Sequence, residues 1–591
     1  MAPRRSAAET ADADRARLHQ LGYKQELKRG LSAVSNFAFS FSIISVLMGV
    51  TATYNTGLRY GGGGGMTLGW LVVTVFNGCV ALSMAEICSA YPTSGGLYYW
   101  SAKLAGKEWA PLASWVTGWF NIVGQWAGTT SVDFSLAQLI QVIVLLGTGG
   151  ANGGGYLASK YVVLAIYGII LVLHGLINSL PIRWLSWFGK LGAFWNVADL
   201  VAELKILVLT LETMMCGAAR LGRKTAHDEE FEQSRKALPK NLVGPLTVQD
   251  HKMAAQVEVA PLEGNRPDFG KPSTRILVLV ILIPAVAKER ASVEFIFTHF
   301  NTDNGMGIHN KAYIMAVGLL MSQYSVLGYD ASAHMTEETK GADKSGPIGI
   351  ISAVALSSIF GWIYLVALTS VVTDIPYLLS PDNDAGGNAI AQALYTTFRV
   401  RYGSGIGAVA CLGVIAVAMF LCGIGSITSN SRMGYAFSRD GAMPYSNVWH
   451  RVSRHEVPLN MVWLSVAVAF AMALTSLGSQ VAFQAMASIA TIGLYISYVL
   501  PIFFRVTTAR KSFIPGPFHL GQYGLAVGWA AVLWVAFVTV LFSLPVAYPV
   551  AKDDFNYTPV AVGGVLLLSI GAWVLHARFW FQGPIINVDT V

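Results

Sequence analysis

The side chains able to do chemistry are few and widely spaced. Within an apolar run over 311–334, Gly328, Tyr329 and Asp330 stand together, so a flexible backbone position lies beside an ionisable group. A second apolar run, over 41–51, is interrupted by Ser42, Ser45, Gly49 and Thr51. Glu86 lies near the end of one apolar run, and Glu337 and Glu338 follow another. Paired carboxylates can trade protons, pair with Arg432, Arg439 or Lys340, or sit at solvated helix ends. His174 and His334 have no neighbours at metal-ligand spacing, so no metal site is expected. The five cysteines, Cys79, Cys88, Cys216, Cys411 and Cys422, never fall in CxxC spacing. Two glycine runs, 61–65 and 147–155, are not followed by Lys-Ser/Thr. They therefore lack the pattern of a phosphate cradle and read as turns at the ends of crossings. No nucleophile–base pair is visible, so no catalytic residue and no cofactor is assigned.

These residues must be positioned by helices in a bilayer. Of 591 residues only 12% are charged, against about 25% in soluble domains, while 54% are apolar and mean hydropathy is +0.51. So few charges cannot cover so much apolar surface in water, which leaves an all-α polytopic membrane protein. With about 20 residues needed per crossing, spans are expected at 33–57, 66–90, 111–147, 161–180, 311–334, 348–372, 404–431, 459–477, 483–504, 523–546 and 559–580. A further span is interrupted, with halves at 186–198 and 276–288. The residues between 212 and 275 hold 19 charges, ten basic and nine acidic, a soluble or disordered composition. The segment 199–275 is read as an atypical polar insert. The competing reading, a span over 187–215, would place Asp199, Glu203 and Lys205 in the bilayer.

Orientation follows from basic loops. After residue 311, one set of alternate loops holds ten Lys and Arg and the other holds three. The basic residues of the N-terminal tail, with Lys103, Lys107 and Arg183, join the richer set only if the interrupted region crosses an odd number of times. One crossing gives twelve spans with both tails, 1–30 and 581–591, cytoplasmic, around a permease domain over 31–580. The tail lacks the apolar core of a secretory signal. The net charge of +7 is accounted for by membrane-flanking loops and needs no nucleic-acid partner. The aromatic residues read mainly as interface belts and lipid-facing surface.

Three segments carry more information. After the second span comes Glu86-Ile-Cys-Ser-Ala-Tyr-Pro-Thr-Ser-Gly-Gly-Leu-Tyr-Tyr-Trp100. The sixth span and its exit hold Tyr324-Ser-Val-Leu-Gly-Tyr-Asp-Ala331, His334-Met-Thr-Glu-Glu-Thr-Lys340 and Gly346-Pro-Ile-Gly-Ile350. After the eighth comes Ser431-Arg-Met-Gly-Tyr-Ala-Phe-Ser-Arg-Asp-Gly-Ala-Met-Pro444, then Val457-Pro-Leu-Asn460. In this order the chain resembles the amino acid–polyamine–organocation permease superfamily, in its amino acid/choline transporter branch. It looks most like the plant bidirectional amino-acid transporter, or GABA permease, type.

The resemblance implies a LeuT-type fold of twelve transmembrane helices, a 5+5 inverted repeat plus two extra helices, with spans one and six broken at the midplane. A broken helix offers amides to a carboxylate and carbonyls to a cation. On that basis Ser45, Val46, Leu47 and Gly49 in span one, and Tyr324, Ser325, Leu327, Gly328, Tyr329 and Asp330 in span six, are substrate-binding candidates. The family's small Gly-x-Gly run falls near Ser45-Val46-Leu47 here, which leaves less bare backbone. Asp330 could serve a substrate, a cation or a proton, or cap a helix. Glu86, Glu337, Glu338, Arg432 and Arg439 are gating candidates.

The implied function is a secondary active transporter of amino acids or GABA. The alternative is another small amine or organocation such as choline or a polyamine. The membrane, plasma, mitochondrial or other, and any coupling ion are left open. A major-facilitator transporter is disfavoured by the short loop 335–347. An embedded enzyme lacks its catalytic cluster, and a channel lacks a repeated filter-like loop.

Overall fold

The computed structural model describes residues 7–196, 279–477, 481–550 and 555–585. The insert expected at 199–275 lies outside them. Two compact units divide the chain, Met1–Val197 with Leu282–Val591, and Ala198–Ile281. Of the second, only residues 279–281 are described, and they are helical.

The regular structure of the described residues is helical, apart from one isolated bridge, Leu31 to Thr339. The main helices are α1 (Ala7–Gln20), α2 (Ala33–Ile44), α3 (Val46–Thr56), α4 (Gly62–Ala90), α5 (Leu97–Leu104), α6 (Ala110–Gly147) and α7 (Lys160–Asn178). Residues 182–196 form α8. After it come α9 (Leu279–Val286), α10 (Lys311–Ser325), α11 (Ala331–His334), α12 (Ala342–Thr369), α13 (Ala389–Tyr402) and α14 (Ile406–Arg439). The last are α15 (Leu459–Ala473), α16 (Val481–Val506), α17 (Gly524–Leu541) and α18 (Thr558–Leu575).

Eight helical stretches among the described residues are long and apolar enough to cross a membrane. One of them, Ala33–Ala90, is a single run of 58 residues holding the first two expected crossings. The run 311–334 is divided between α10 and α11, and Leu459–Ala473 is a shorter apolar helix.

Local chemistry explains several boundaries. Ser32 starts α2 by accepting the Ser35 amide at 3.2 Å, and Asn310 starts α10 by accepting from Ala312 and Tyr313, as N-caps do. The glycine run at 61–65 departs from its expected role as a turn. Gly62 to Gly65 form the first turn of α4 and are buried. A Cβ on Gly63 would lie 2.5 Å from the Phe295 carbonyl oxygen, and one on Gly64 2.9 Å from that of Phe297. These glycines are small so that a neighbouring segment can approach. The second run keeps its turn role, with positive φ at Gly149, Gly150 and Gly154.

The helices pack in two groups that also meet, where α14 lies against α2 and α3. α2, α3, α10 and α11 pack with α4 and α12, while α6, α7, α14 and α15 pack with one another. Many aromatics lie inside rather than at a lipid belt: Trp70, Trp100, Tyr54, Tyr167, Tyr329, Tyr364 and Tyr495 are among the largest fully buried side chains.

Candidate functional site

The first helix break is narrower than expected. Only Ser45 leaves helical geometry, at φ 21° and ψ 81°, and Val46 to Thr56 are helical again. Val46, Leu47 and Gly49 therefore belong to the first turn of α3 rather than to a loop. A positive φ is unfavourable for a residue with a Cβ. Ser45 keeps it while its N–H donates to the Phe41 carbonyl and its hydroxyl donates to Asn196 Oδ1 at 3.3 Å. The Ser45 side chain does not cap the amides that open α3. Gly49 serves another purpose, since a Cβ there would stand 2.6 Å from Ser325 Cα.

The second break is longer. Tyr324 and Ser325 close α10, residues 326–330 are unwound, and α11 resumes at Ala331. Gly328 makes the reversal at φ 93°, and a Cβ on it would meet Ile43 Cγ2 at 2.6 Å. The two breaks thus lie against each other through Gly49–Ser325 and Ile43–Gly328. Side chains secure the unwound backbone: Tyr495 donates to the Val326 carbonyl at 3.0 Å and Ser40 to the Tyr329 carbonyl at 3.3 Å. Leu327 and Tyr329 are buried, and the Tyr329 ring packs on Tyr498 at 5.0 Å. The Tyr324 hydroxyl bonds Ser131 at 2.7 Å.

Asp330 is fully buried and surrounded by donors. Its Oδ1 accepts from Tyr498 at 2.8 Å. Its Oδ2 accepts from Gln125 at 2.8 Å and Asn121 at 3.2 Å, and lies 3.2 Å from His334 Nε2. It occupies the position before α11 without capping it through its side chain. A buried carboxylate is tolerable only with such compensation. His334 and His174 each pair with an aspartate: His174 Nδ1 lies 3.2 Å from Asp133 Oδ2, both fully buried. Among the described residues no cluster of three His, Cys, Asp or Glu could hold a metal.

The five gating candidates fall in three separate pairs, one of them completed by Arg505. Arg439 donates to both oxygens of Glu337, at 3.0 and 3.2 Å, and Ser94 donates to Glu337 through its hydroxyl at 2.6 Å and its amide at 3.2 Å. Arg432 donates to Glu338 at 3.0 Å. Glu86 pairs with neither Arg432, Arg439 nor Lys340. It faces Arg505 at 3.5 Å and accepts the Leu520 amide at 3.1 Å, because the end of α4 packs beside the end of α16. All three acids are buried, so loss of one partner costs about 3–5 kcal/mol.

Around these pairs the N-terminal segment adds contacts that the sequence did not suggest. Arg17 donates to the Ala90 carbonyl at 2.7 Å and Arg29 to that of Thr339 at 2.7 Å. Leu31 exchanges backbone bonds with Glu338 and Lys340. Tyr23 and Tyr98 both donate to Asp440, at 2.8 and 2.9 Å. Burial pushes the Asp440 carboxyl up to about 6, against the opposing pull of Arg439 and the two tyrosines. Other site residues missed from sequence are Asn121, Gln125, Ser94, Tyr495 and Tyr498. A signal existed for two of them, as Asn121 and Gln125 are four apart and share one face of α6.

Long apolar helices around a buried polar centre, with two interrupted helices meeting there, define an integral, multi-pass membrane protein. The sequence profile described as "Amino acid permease" matches residues 31–201 and 274–567. A rice (Oryza sativa subsp. japonica) protein named "Amino-acid permease BAT1 homolog" is 59% identical over 98% of this chain and 96% of its own. "Amino-acid permease BAT1" of Arabidopsis thaliana is 56% identical over 98% of this chain and 97% of its own. The "GABA-specific permease" of Saccharomyces cerevisiae is 28% identical over 97% and 86%. The chain belongs to the amino acid permease family.

Proposed function

We propose that this permease is a secondary active transporter moving amino acids, GABA among them, by alternating access. In this reading it has the LeuT-type arrangement of twelve crossings, two inverted five-helix repeats and two further helices. The observation that carries the reading is the contact between two helix breaks in one buried centre, at Gly49–Ser325 and Ile43–Gly328. The uncapped amides of Val46, Leu47 and Met48 at the start of α3 suit a carboxylate. The last carbonyls of α10, which lack partners within their helix, suit an ammonium group. An amino acid carries both charges, so backbone from the two breaks grips it between them, with Tyr324, Ser325, Leu327 and Tyr329 around it. Packing in two groups supports a rocking motion, the group holding both breaks moving against the group of α6, α7, α14 and α15.

Glu337–Arg439 and Glu338–Arg432 join the exit of the second broken helix to α14. With these pairs formed the inner gate is shut, and Glu86–Arg505 fastens the neighbouring helix ends. The basic loops give this end its cytoplasmic assignment. The segment 199–275 is read as an insertion in a permease domain over 31–580, a reading supported by the family profile matching on both sides of it.

The test is uptake of labelled GABA, alanine, glutamate and arginine by the purified full chain in proteoliposomes, with Asp330→Asn beside the wild type. Saturable uptake altered by the substitution is expected. If neutral, acidic and basic amino acids and GABA all fail to compete, the substrate class is wrong.

A further inference from the structure

The bonding of His334 demands a proton that its simplest description does not supply. Its Nδ1 lies 3.1 Å from the carbonyl oxygen of Ser94, and its Nε2 lies 3.2 Å from Asp330 Oδ2. A neutral imidazole has one N–H and one lone pair. A carbonyl can only accept, and so can a carboxylate. With a neutral ring and an ionised Asp330, one of these two contacts would set lone pair against lone pair. That arrangement is costly where both side chains are fully buried.

Two proton placements satisfy the geometry. Either the ring is an imidazolium donating from both nitrogens, or Asp330 carries the proton and donates it to Nε2. Gln125 and Asn121 already donate to that same oxygen, and Tyr498 donates to the other, so the imidazolium–carboxylate form fits better. Both forms hold one proton more than a neutral histidine beside a carboxylate.

The second buried pair provides the contrast. His174 Nδ1 faces Asp133 Oδ2, while His174 Nε2 has no partner among the described residues. A neutral His174 with its proton on Nδ1 satisfies that pair, and no extra proton is required.

We propose that the His334–Asp330 pair binds the proton that couples transport, and that Ser94 links its release to opening of the inner gate. This rests on the transporter reading given above. Ser94 is bonded on both sides: its carbonyl accepts from His334 Nδ1, while its amide and hydroxyl donate to Glu337, the partner of Arg439. When Glu337 and Arg439 part, the freed Glu337 side chain turns and draws Ser94 with it, so that His334 Nδ1 loses its acceptor. The imidazolium then gives one proton to water on the cytoplasmic side, leaving a neutral ring and the Asp330 carboxylate. The surrounding groups suit this cycle. α16 presents Tyr495 and Tyr498, the unwound stretch presents Tyr329, and α2 presents Asn36 and Ser40. The arginines of α14, Arg432 and Arg439, are taken up by Glu338 and Glu337.

The experiment uses the purified full chain in proteoliposomes with membrane voltage clamped to zero and labelled GABA or alanine as substrate. An acid-outside gradient of about one pH unit should accumulate substrate up to about tenfold, the limit for one proton per substrate. Added substrate should drive dye-detected acidification of the lumen. In His334→Gln the ratio of uptake with and without the gradient should fall to about one. Independently, the ¹⁵N spectrum of solubilised protein, with His334 assigned by difference from His334→Gln, should report both ring nitrogens protonated at neutral pH. Substrate exchange that ignores the gradient, or a neutral His334 ring beside an ionised Asp330, overturns the proton proposal and leaves the transporter reading standing. Absence of uptake and exchange in the wild type overturns both.

Discussion

Gly49 and Ser325 lie so close that a Cβ on the glycine would stand 2.6 Å from the serine Cα. The contact is backbone against backbone, and it brings the start of α3 to the end of α10. Neither residue carries a charge, yet their separation sets the distance between the two helix breaks. Gly49→Ala must push α3 from α10, at a cost of about 1–3 kcal/mol for an overpacked site. Lower thermal stability in detergent and at least a tenfold loss of substrate uptake are expected. Equal stability and uptake would show that the breaks tolerate separation.

Ser45 is the only residue that interrupts the helical path between α2 and α3, at a positive φ. Ser45→Gly should relieve about 1 kcal/mol of backbone strain, less the bond to Asn196, and retain transport. Ser45→Val should lose that bond and keep the strain, lowering both melting temperature and uptake. The same melting temperature for the two variants would mean that Ser45 is not strained.

The Glu337–Arg439 pair is buried, and its members are not equally replaceable. Glu337→Gln leaves Arg439 without a carboxylate, an expected loss of about 3–5 kcal/mol. Replacing both residues by Gln should cost less than the sum of the single changes. A denaturation cycle over the four proteins measures this coupling. Additive costs would contradict the pair.

Asp440 gives a pH signature. Its carboxyl is pushed to about 6 in the folded protein by burial, against about 3.9 unfolded. The folded state therefore takes up a proton between these values. The stabilisation is complete below about pH 4 and fades as pH rises through about 6, by an order of 3 kcal/mol. Asp440→Asn should flatten this part of the stability–pH curve, followed by thermal unfolding between pH 4 and 7. A slope identical to wild type would show that Asp440 does not titrate there.

Helix positions were legible in the sequence because apolar length is a direct requirement of the bilayer. The break at 326–330 was legible through Gly328 beside Asp330. The first break was only half legible. Ser45, Val46, Leu47 and Gly49 were expected to contribute bare backbone, but Gly49 is there for close approach and only Ser45 unwinds. Partners across the fold were the hardest part. Nothing local to Glu86 indicates Arg505, because more than 400 residues of chain separate them. Asp133 with His174, and Ser94 with Glu337, are likewise set by packing of distant helices. His334 read as isolated because its acid lies one helical turn earlier, at a position already assigned to another purpose.

The central claim is that backbone at two abutting helix breaks grips the substrate. Its most direct test is competitive uptake of labelled amino acid by the purified chain, wild type against Gly328→Val. The substitution adds a branched side chain where φ is 93° and Ile43 is 2.6 Å from the first added atom. Cooperative unfolding retained with uptake abolished is the expected result. Saturable uptake that is unchanged by Gly328→Val would contradict the account.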